Sequence, residues 1–537
     1  MATECGYTHD VSSERFEDMP GDQWKCSQPA TGGDRCVFHA DPDTVSDETV
    51  RESFLNVVAT EKGAVRLIGT RLSSLSVDYA ILDGPSNHPI DLRESVIGGG
   101  LSARYVTVKR PLRLDGARLE GIVNLEDAVF SRRVDFGDTV FGGRVSFRLV
   151  NFESALDLRD ADFHEPAYMR LAVFQRGIYG VGVTFHAAAD FLNTRFEDVC
   201  NFYRASFHSG AIFDSSTFAG GNAQFFEAEI DSPAVKLDSA MDNPRSEREY
   251  YEDIALSMDG VTCDRDLRLA GATLGGDVVF TSSDLGRDLK CGDLSTTDHI
   301  VVNCSGTTVV TGKIGGSNDR VTYDFTDATV GEIDIADDAS FDMFRFDETT
   351  FSGFDFGAYK QELAVRDWRL HDASTDYSPT RLENLYLRAK NGANEIGETR
   401  AAAEFFIYEM VYRRRNHYHL ALTGSSIRER LRAASKWVSN TALQFSCGYG
   451  ERPFRPVVFS MGLIVAFASL YALLGAPVVY PGFLGYLTFS IEGFVSLVLG
   501  LPDVTNPVLG FFVAVEGFLG GFIIALFVFT LTRSISR

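Results

Sequence analysis

Large apolar side chains return every eleven residues through the middle of the chain: Leu119, Phe130, Phe141, Phe152, Phe163, Phe174, Phe185, Phe196, Phe207 and Phe218. Two places before each stands a small or β-branched residue, from Ala117 and Ala128 to Ala205 and Ser216. A second register interleaves with the first at steps of five and six: Leu114, Leu125, Phe136, Phe147, Leu158, Met169, Phe191, Phe202 and Phe213, missing once at Gly180. A fixed period of this kind is a solenoid signature, although an eleven-residue period also fits a right-handed coiled coil. Segments such as VDFGDTVFGGRVSF are poor helix formers. Two inward residues separated by one outward position suit a strand. The pattern therefore predicts a β-solenoid in which each coil buries its apolar ladder only against its neighbours.

Weaker copies extend upstream through Leu67, Leu72, Val77, Leu82, Leu92 and Ile97, and downstream through Leu269, Leu274, Phe280 and Leu285. The run closes with Phe341, Phe346, Phe351 and Phe356. The rod is expected over residues 63–357, with a charged helical insertion over about 242–258 (PRSEREYYEDIALSM). The segments GARLEG, DAVFSR and DADFHE resemble the pentapeptide-repeat family. That resemblance implies a mainly β fold, a right-handed quadrilateral β-helix with Leu or Phe at the centre of each face. Two such units make one coil, rising about 4.8 Å. The rod shows no Walker loop, no G-x-S-x-G and no H-E-x-x-H, so no enzyme is expected. His164, His186 and His208 share one phase, 22 residues apart. They read as a solvent-facing position repeated by the coil rather than a metal ladder.

After Phe356 the period changes. Residues 377–420 read as a helical hairpin around a turn at Asn391–Asn394, with Ala402, Phe405, Phe406, Glu409 and Met410 at helical spacing. A basic juxtamembrane linker is expected over 421–456, followed by a two-transmembrane domain over 457–537. Val457–Ala476 holds no charge and Val508–Thr532 is interrupted only by Glu516; each is long enough for a bilayer core of about 30 Å. Between them Phe483–Leu501 is apolar too, with Glu492 at its midpoint. It is either a third span or a re-entrant segment; the central charge and three glycines favour the latter.

This order resembles the two-transmembrane, pore-loop ion channel family, and CGYGERP is similar to the stretch before the first span in pentapeptide-repeat channel proteins. The resemblance aligns the potassium filter T-V-G-Y-G-D with Val498, Leu499, Gly500, Leu501, Pro502 and Asp503. It makes Gly517, Gly520 and Gly521 an inner-helix hinge. A potassium filter needs Gly at special backbone angles to aim its carbonyls, whereas Pro502 fixes φ near −65°. Potassium selectivity is therefore not carried over. Glu492 and Glu516 at membrane depth either serve an ion or brace the pore, or are hydrogen-bonded packing residues. Gly517 and Gly521 also form a G-x-x-x-G step suited to close helix packing.

Charge sharpens the picture. The net −24 is uneven: Arg413–Arg455 carries +7 and residues 1–412 carry −30. So acidic a rod argues against nucleic-acid binding. Only nine of the 50 basic residues are Lys, and acidic with few Lys points to a halophilic source. Basic residues crowd the near side of the first span, and Arg533 and Arg537 follow the second. A multi-pass cell-membrane protein is expected, with rod and C-terminus cytoplasmic. Cys5, Cys26, Cys36 and His39 fall within the first 45 residues. They read as a zinc-knuckle cap holding a structural Zn2+, with His9 as a competing ligand, or as a disordered tail with free thiols. Two spans and one loop cannot enclose a pore, so a homo-oligomer is implied, a tetramer by the resemblance, passing an ion of unspecified kind. The rival is a membrane-anchored scaffold whose acidic rod binds a protein partner. Family members that mimic DNA and block topoisomerases suggest a third role, which an acidic rod suits and a membrane anchor does not.

Overall fold

The computed structural model describes residues 4–31, 33–232, 253–371, 377–500, 504 and 506–535. The chain divides into two compact units, Met1–Ser352 and Gly353–Arg537.

The first unit opens with a cap. Thr8–Asp10 pairs antiparallel with Gln23–Lys25. Helix α1 follows over Asp47–Thr60, a stretch to which the periodicity assigns nothing. Ser46 caps it by accepting from the Thr49 N–H, and Asp47 and Glu48 sit in its first turn, where acidic side chains favour a helix. Val50, Phe54 and Val58 face the core at a spacing of four. Buried Arg110 then ties the end of α1 to a coil: its guanidinium donates to the carbonyls of Val58, Gly63 and His88 at 3.1, 2.5 and 2.7 Å.

Beyond the cap lies a β-solenoid of about twelve turns. Its short strands pair in parallel with the strand one coil away. Phe130, Phe152, Phe174, Phe196 and Phe218 are successive partners, and so are Phe141, Phe163, Phe185 and Phe207. Their rings stack 4.3 to 5.3 Å apart. The one gap in the second register is filled from next door. A Cβ on Gly180 would stand 2.7 Å from the Phe202 ring. Corners carry a second period that hydrophobicity does not reveal. A left-handed residue recurs every eleven positions at Gly116, Asp127, Asp138, Leu149, Asp160, Leu171, Gly182, Asn193, Arg204 and Ser215. Gly, Asn and Asp tolerate that conformation, while Leu149, Leu171 and Arg204 cost about 1–2 kcal/mol each.

The expected helical insertion is corrected at one end. Residues 242–252 lie outside the described residues, but Ile254–Ser257 is a strand, with Leu256 opposite Ala211. Ala255, Leu256 and Met258 are fully buried, so the chain has rejoined the apolar ladder before Met258. Later coils use longer strands, Asp284–Gly292, Thr308–Gly315 and Thr329–Ile335. Phe341–Met343 forms a 3-10 turn, and the last strand is Thr350–Phe351.

The second unit is helical. Phe356 falls in it, packing edge-on against Phe405. Helix α2 (Lys360–Val365) precedes α3 (Pro379–Glu395) and α4 (Thr399–Thr423). The hairpin turn therefore lies at Ile396–Glu398, not at Asn391–Asn394. Gly397 supplies the positive φ of +82°, while Gly392 and Ala393 stay helical and buried. Glu409 is buried between Lys390 (2.7 Å) and Arg413 (2.6 Å), and Arg413 also holds Glu383. The basic stretch expected as a linker is helix α5, Ile427–Cys447. Ser426 caps its start, and Gly448 ends it at φ +57°. Then come α6 (Phe454–Leu474), α7 (Phe483–Phe494), a single turn α8 (Ser496–Leu499) and α9 (Pro507–Ile535). Among the described residues, two helices are long and apolar enough to cross a membrane: Phe454–Leu474 and Pro507–Arg533. Helix α7, at about 18 Å from its residue count, is too short for that.

Candidate functional site

Two groups of residues singled out by their chemistry come together, one in each unit. In the cap, the strand pair brings Cys5 and Cys26 beside the turn that carries Cys36 and His39. Cys26 N–H donates to Tyr7 O (3.0 Å), Cys5 N–H to Gln28 O (2.8 Å), and His39 N–H to Cys36 O (3.0 Å). The four ligand atoms lie within 4.8 Å of one another, so the cluster can hold a metal ion. Sγ of Cys26 and Cys36 are 3.8 Å apart, and His39 Nδ1 stands 3.2 Å from Cys36 Sγ and 3.9 Å from Cys5 Sγ. A tetrahedral Zn–S bond of about 2.3 Å places two sulfurs about 3.8 Å apart, which matches. Bonded sulfurs would be about 2.05 Å apart, and all three thiols are free and buried.

His39 Nε2 lies 3.0 Å from the Ile68 carbonyl, which can only accept, so the ring proton sits there and Nδ1 turns its lone pair to the thiols. A ligating histidine is usually oriented in this way. The ring also stacks on Tyr7 at 3.9 Å. The hydrogen bond from Cys26 pulls the Cys36 thiol well below its ordinary range, while the same pairing and burial push Cys26 up. His9 is not part of the cluster. Its Nε2 pairs with Glu94 at 2.9 Å and its Nδ1 faces the Tyr7 hydroxyl at 3.1 Å.

In the helical unit the two carboxylates of the apolar segments separate sharply. Glu492 is exposed on α7, whereas Glu516 on α9 is fully buried. Glu516 Oε2 accepts from the Tyr471 hydroxyl of α6 at 2.6 Å, and Oε1 accepts from Ser490 of α7. One side chain thereby joins both long helices to the short one. Neither partner was singled out by sequence; the signal, a hydroxyl within an apolar run, is a weak one. Around this point α9 is stripped of side chains. A Cβ on Gly517 would collide with Ser496, on Gly520 with the Phe494 carbonyl, and on Gly521 with Leu497. The three glycines thus form the face on which α7 and α8 lie, and α9 runs unbroken through them.

Of the aligned filter positions, Val498 is exposed at the end of α8 and Gly500 has φ +98°, a conformation open to glycine. Leu499 belongs to α8; Leu501, Pro502 and Asp503 lie outside the described residues. Ion pairs gather where the long helices meet the basic segment. Arg533 of α9 reaches Glu451 at 2.8 Å, and Arg452 reaches Glu404 of α4 at 2.7 Å. Burial raises the Glu404 carboxyl above its usual range despite that arginine. The turn between α5 and α6 is set by three left-handed residues in a row, Gly448, Tyr449 and Gly450.

Residues 114–162 match the pentapeptide-repeats family, as nine copies of the repeat. No curated protein and no solved structure matches the chain. The chain thus carries a pentapeptide-repeat β-solenoid followed by a helical region with two long apolar helices.

Proposed function

We propose that this protein is an oligomeric, ion-channel-like membrane protein with a large cytoplasmic pentapeptide-repeat domain that senses or assembles. The observation that carries the reading is the docking of α7 and α8 between two long apolar helices through Glu516, Tyr471 and Ser490. A short helix too brief to span, braced by a buried carboxylate and seated on glycines, is what a re-entrant pore segment requires. Large apolar residues on both long helices, Phe454, Phe459, Phe511, Phe518 and Phe522 among them, remain exposed in a single chain. Lipid and neighbouring subunits would cover them, and a tetramer is the assembly favoured by the resemblance to pore-loop channels. With Pro502 in the filter position potassium selectivity is not carried over; Leu499, Leu501 and Pro502 would line a hydrophobic constriction instead. The basic helix α5 keeps both ends of the chain on the cytoplasmic side.

We also infer that Cys5, Cys26, Cys36 and His39 hold a structural Zn2+. Four protein ligands close the coordination sphere, so the ion would staple the cap rather than act on a substrate. Zinc analysis of purified protein is expected to give one ion per chain, lost in a Cys36→Ser variant.

Recording from purified protein in planar bilayers tests the main reading, with unitary currents as the expected result. A monomer by mass in detergent, or silence with K+, Na+ and Cl− at all voltages, would overturn it. The chain would then be a membrane-anchored scaffold whose acidic rod binds a protein partner.

A further inference from the structure

A second set of ligand-type atoms stands on the rod, apart from the thiol cluster. Asp162, Thr184 and Ser206 are strand partners in three successive coils. Two residues after them stand His164, His186 and His208, on either side of the inward Phe163, Phe185 and Phe207. Strand alternation therefore turns both the first residue and the histidine of each triplet outward. The imidazoles stack on one another at 5.0 and 5.4 Å, close to the coil repeat.

Stacking follows from the repeat alone, but the convergence on Asp162 does not. His164 Nε2 lies 3.2 Å from Asp162 Oδ2, and His186 Nε2, one coil on, lies 2.8 Å from Oδ1. The three donor groups fall within 4.8 Å of one another. Asp162 Oδ1 is shielded from solvent yet accepts no aligned hydrogen bond, so the His186 contact leaves its lone pair unused. The third histidine is turned elsewhere: His208 Nδ1 faces Asp231 at 3.0 Å. The partners of Asp162 in the next two coils are Thr184 and Ser206, so the arrangement occurs once in this ladder.

We propose that Asp162, His164 and His186 form a surface site for a divalent transition-metal ion of the class that imidazole prefers, Zn2+, Ni2+ or Cu2+. Both nitrogens that face the carboxylate are Nε2, so an ion between them would take the place of the shared protons. Two imidazoles and one carboxylate leave coordination positions open to water or to an outside ligand. That separates this site from the closed thiol cluster of the cap.

The full chain in detergent is first given one equivalent of Zn2+, which three thiolates and an imidazole take ahead of two imidazoles and a carboxylate. Ni2+ is then titrated by calorimetry. One further equivalent is expected, weakened roughly tenfold or more by His164→Ala or His186→Ala, and less by Asp162→Asn. His208→Ala is expected to bind as the parent does. All three ligands are partly exposed, so the variants should keep the parent's melting temperature, which circular dichroism checks. The proposal fails if no second equivalent binds at millimolar Ni2+, or if His186→Ala binds Ni2+ like the parent. If the cap takes up no zinc, the difference between parent and His164→Ala still reads this site alone.

Discussion

The rod and the helical unit spend similar apolar side chains in opposite ways. In the rod, Phe141, Phe163 and Phe185 are wholly buried, each ring stacked on those of the neighbouring coils. In the helical unit, Phe511 and Phe518 are 65% and 70% exposed. Burial of apolar area is what stabilises either region, so the rod stabilises itself within one chain, whereas on the proposed reading lipid or neighbouring subunits would cover the helical unit. The largest expected effect breaks this contrast directly. Phe163→Ala removes a ring from the middle of a stack and should cost the rod about 3–5 kcal/mol. Phe511→Ala, the same chemical change, should shift thermal unfolding in detergent by no more than about 0.5 kcal/mol. Far-UV circular dichroism of both variants makes the comparison; equal losses would mean that the α9 ring is packed after all.

Polar groups divide along the same line. The rod stacks carboxylates on its faces, and one of them, Asp115, is held out of register with its charge. Burial, with Asp135 close by, pushes its pKa from 3.8 up to about 6, and its Oδ1 has no hydrogen-bond partner. A raised acid favours the folded state fully only below its unfolded value, and that contribution is lost as pH rises from 3.8 through about 6. At pH 7 its ionisation costs up to about 3 kcal/mol. Asp115→Asn should therefore raise the melting temperature of the rod at pH 7, with the gain shrinking to nothing near pH 4. A gain independent of pH would assign the effect to something other than charge.

What could be read from sequence differs between the regions for the same reason. Repetition makes the rod legible, because a large apolar residue returns ten times at one spacing, nine times as Phe. The thiol set was legible because Cys36 and His39 are near neighbours and thiols are scarce. Three kinds of feature were not. Helix α1 rests on three apolar residues and a serine cap, too short a signal beside a strong β period. The left-handed corners are filled variously by Asp, Gly, Asn, Leu, Arg and Ser, so no single residue type marks them. The brace at Glu516 joins residues 45 and 26 positions away in sequence, Tyr471 and Ser490. Only tertiary packing brings those hydroxyls together, and no local pattern encodes it.

That brace gives the next effect in size. Glu516→Leu leaves the Tyr471 hydroxyl without its acceptor and Ser490 with the Ile464 carbonyl alone, at about 1–3 kcal/mol. Glu516→Gln keeps one carbonyl oxygen and should lose less. Amide exchange by mass spectrometry is the measurement: protection of α7 should fall strongly in the first variant and slightly in the second. The rod's exchange should not move in either. Unchanged protection of α7 in Glu516→Leu would show that the glycine face alone seats it.

The smallest effect tests whether the rod's one missing ladder residue is a defect or a fit. At Gly180 the Phe202 ring, one coil away, occupies the space a side chain would take. Filling the gap with Gly180→Ala sets a methyl 2.7 Å from that ring, and overpacking of this kind costs about 1 kcal/mol or somewhat more. If the two positions share one volume, Phe202→Leu in the same chain should recover part of that loss, although it removes apolar area by itself. A double-mutant cycle on urea unfolding measures the coupling, which neighbours sharing a space show and independent sites do not. Additive losses would mean that the ring has room to turn aside, and that the ladder tolerates a regular residue at 180 as it does at every other coil.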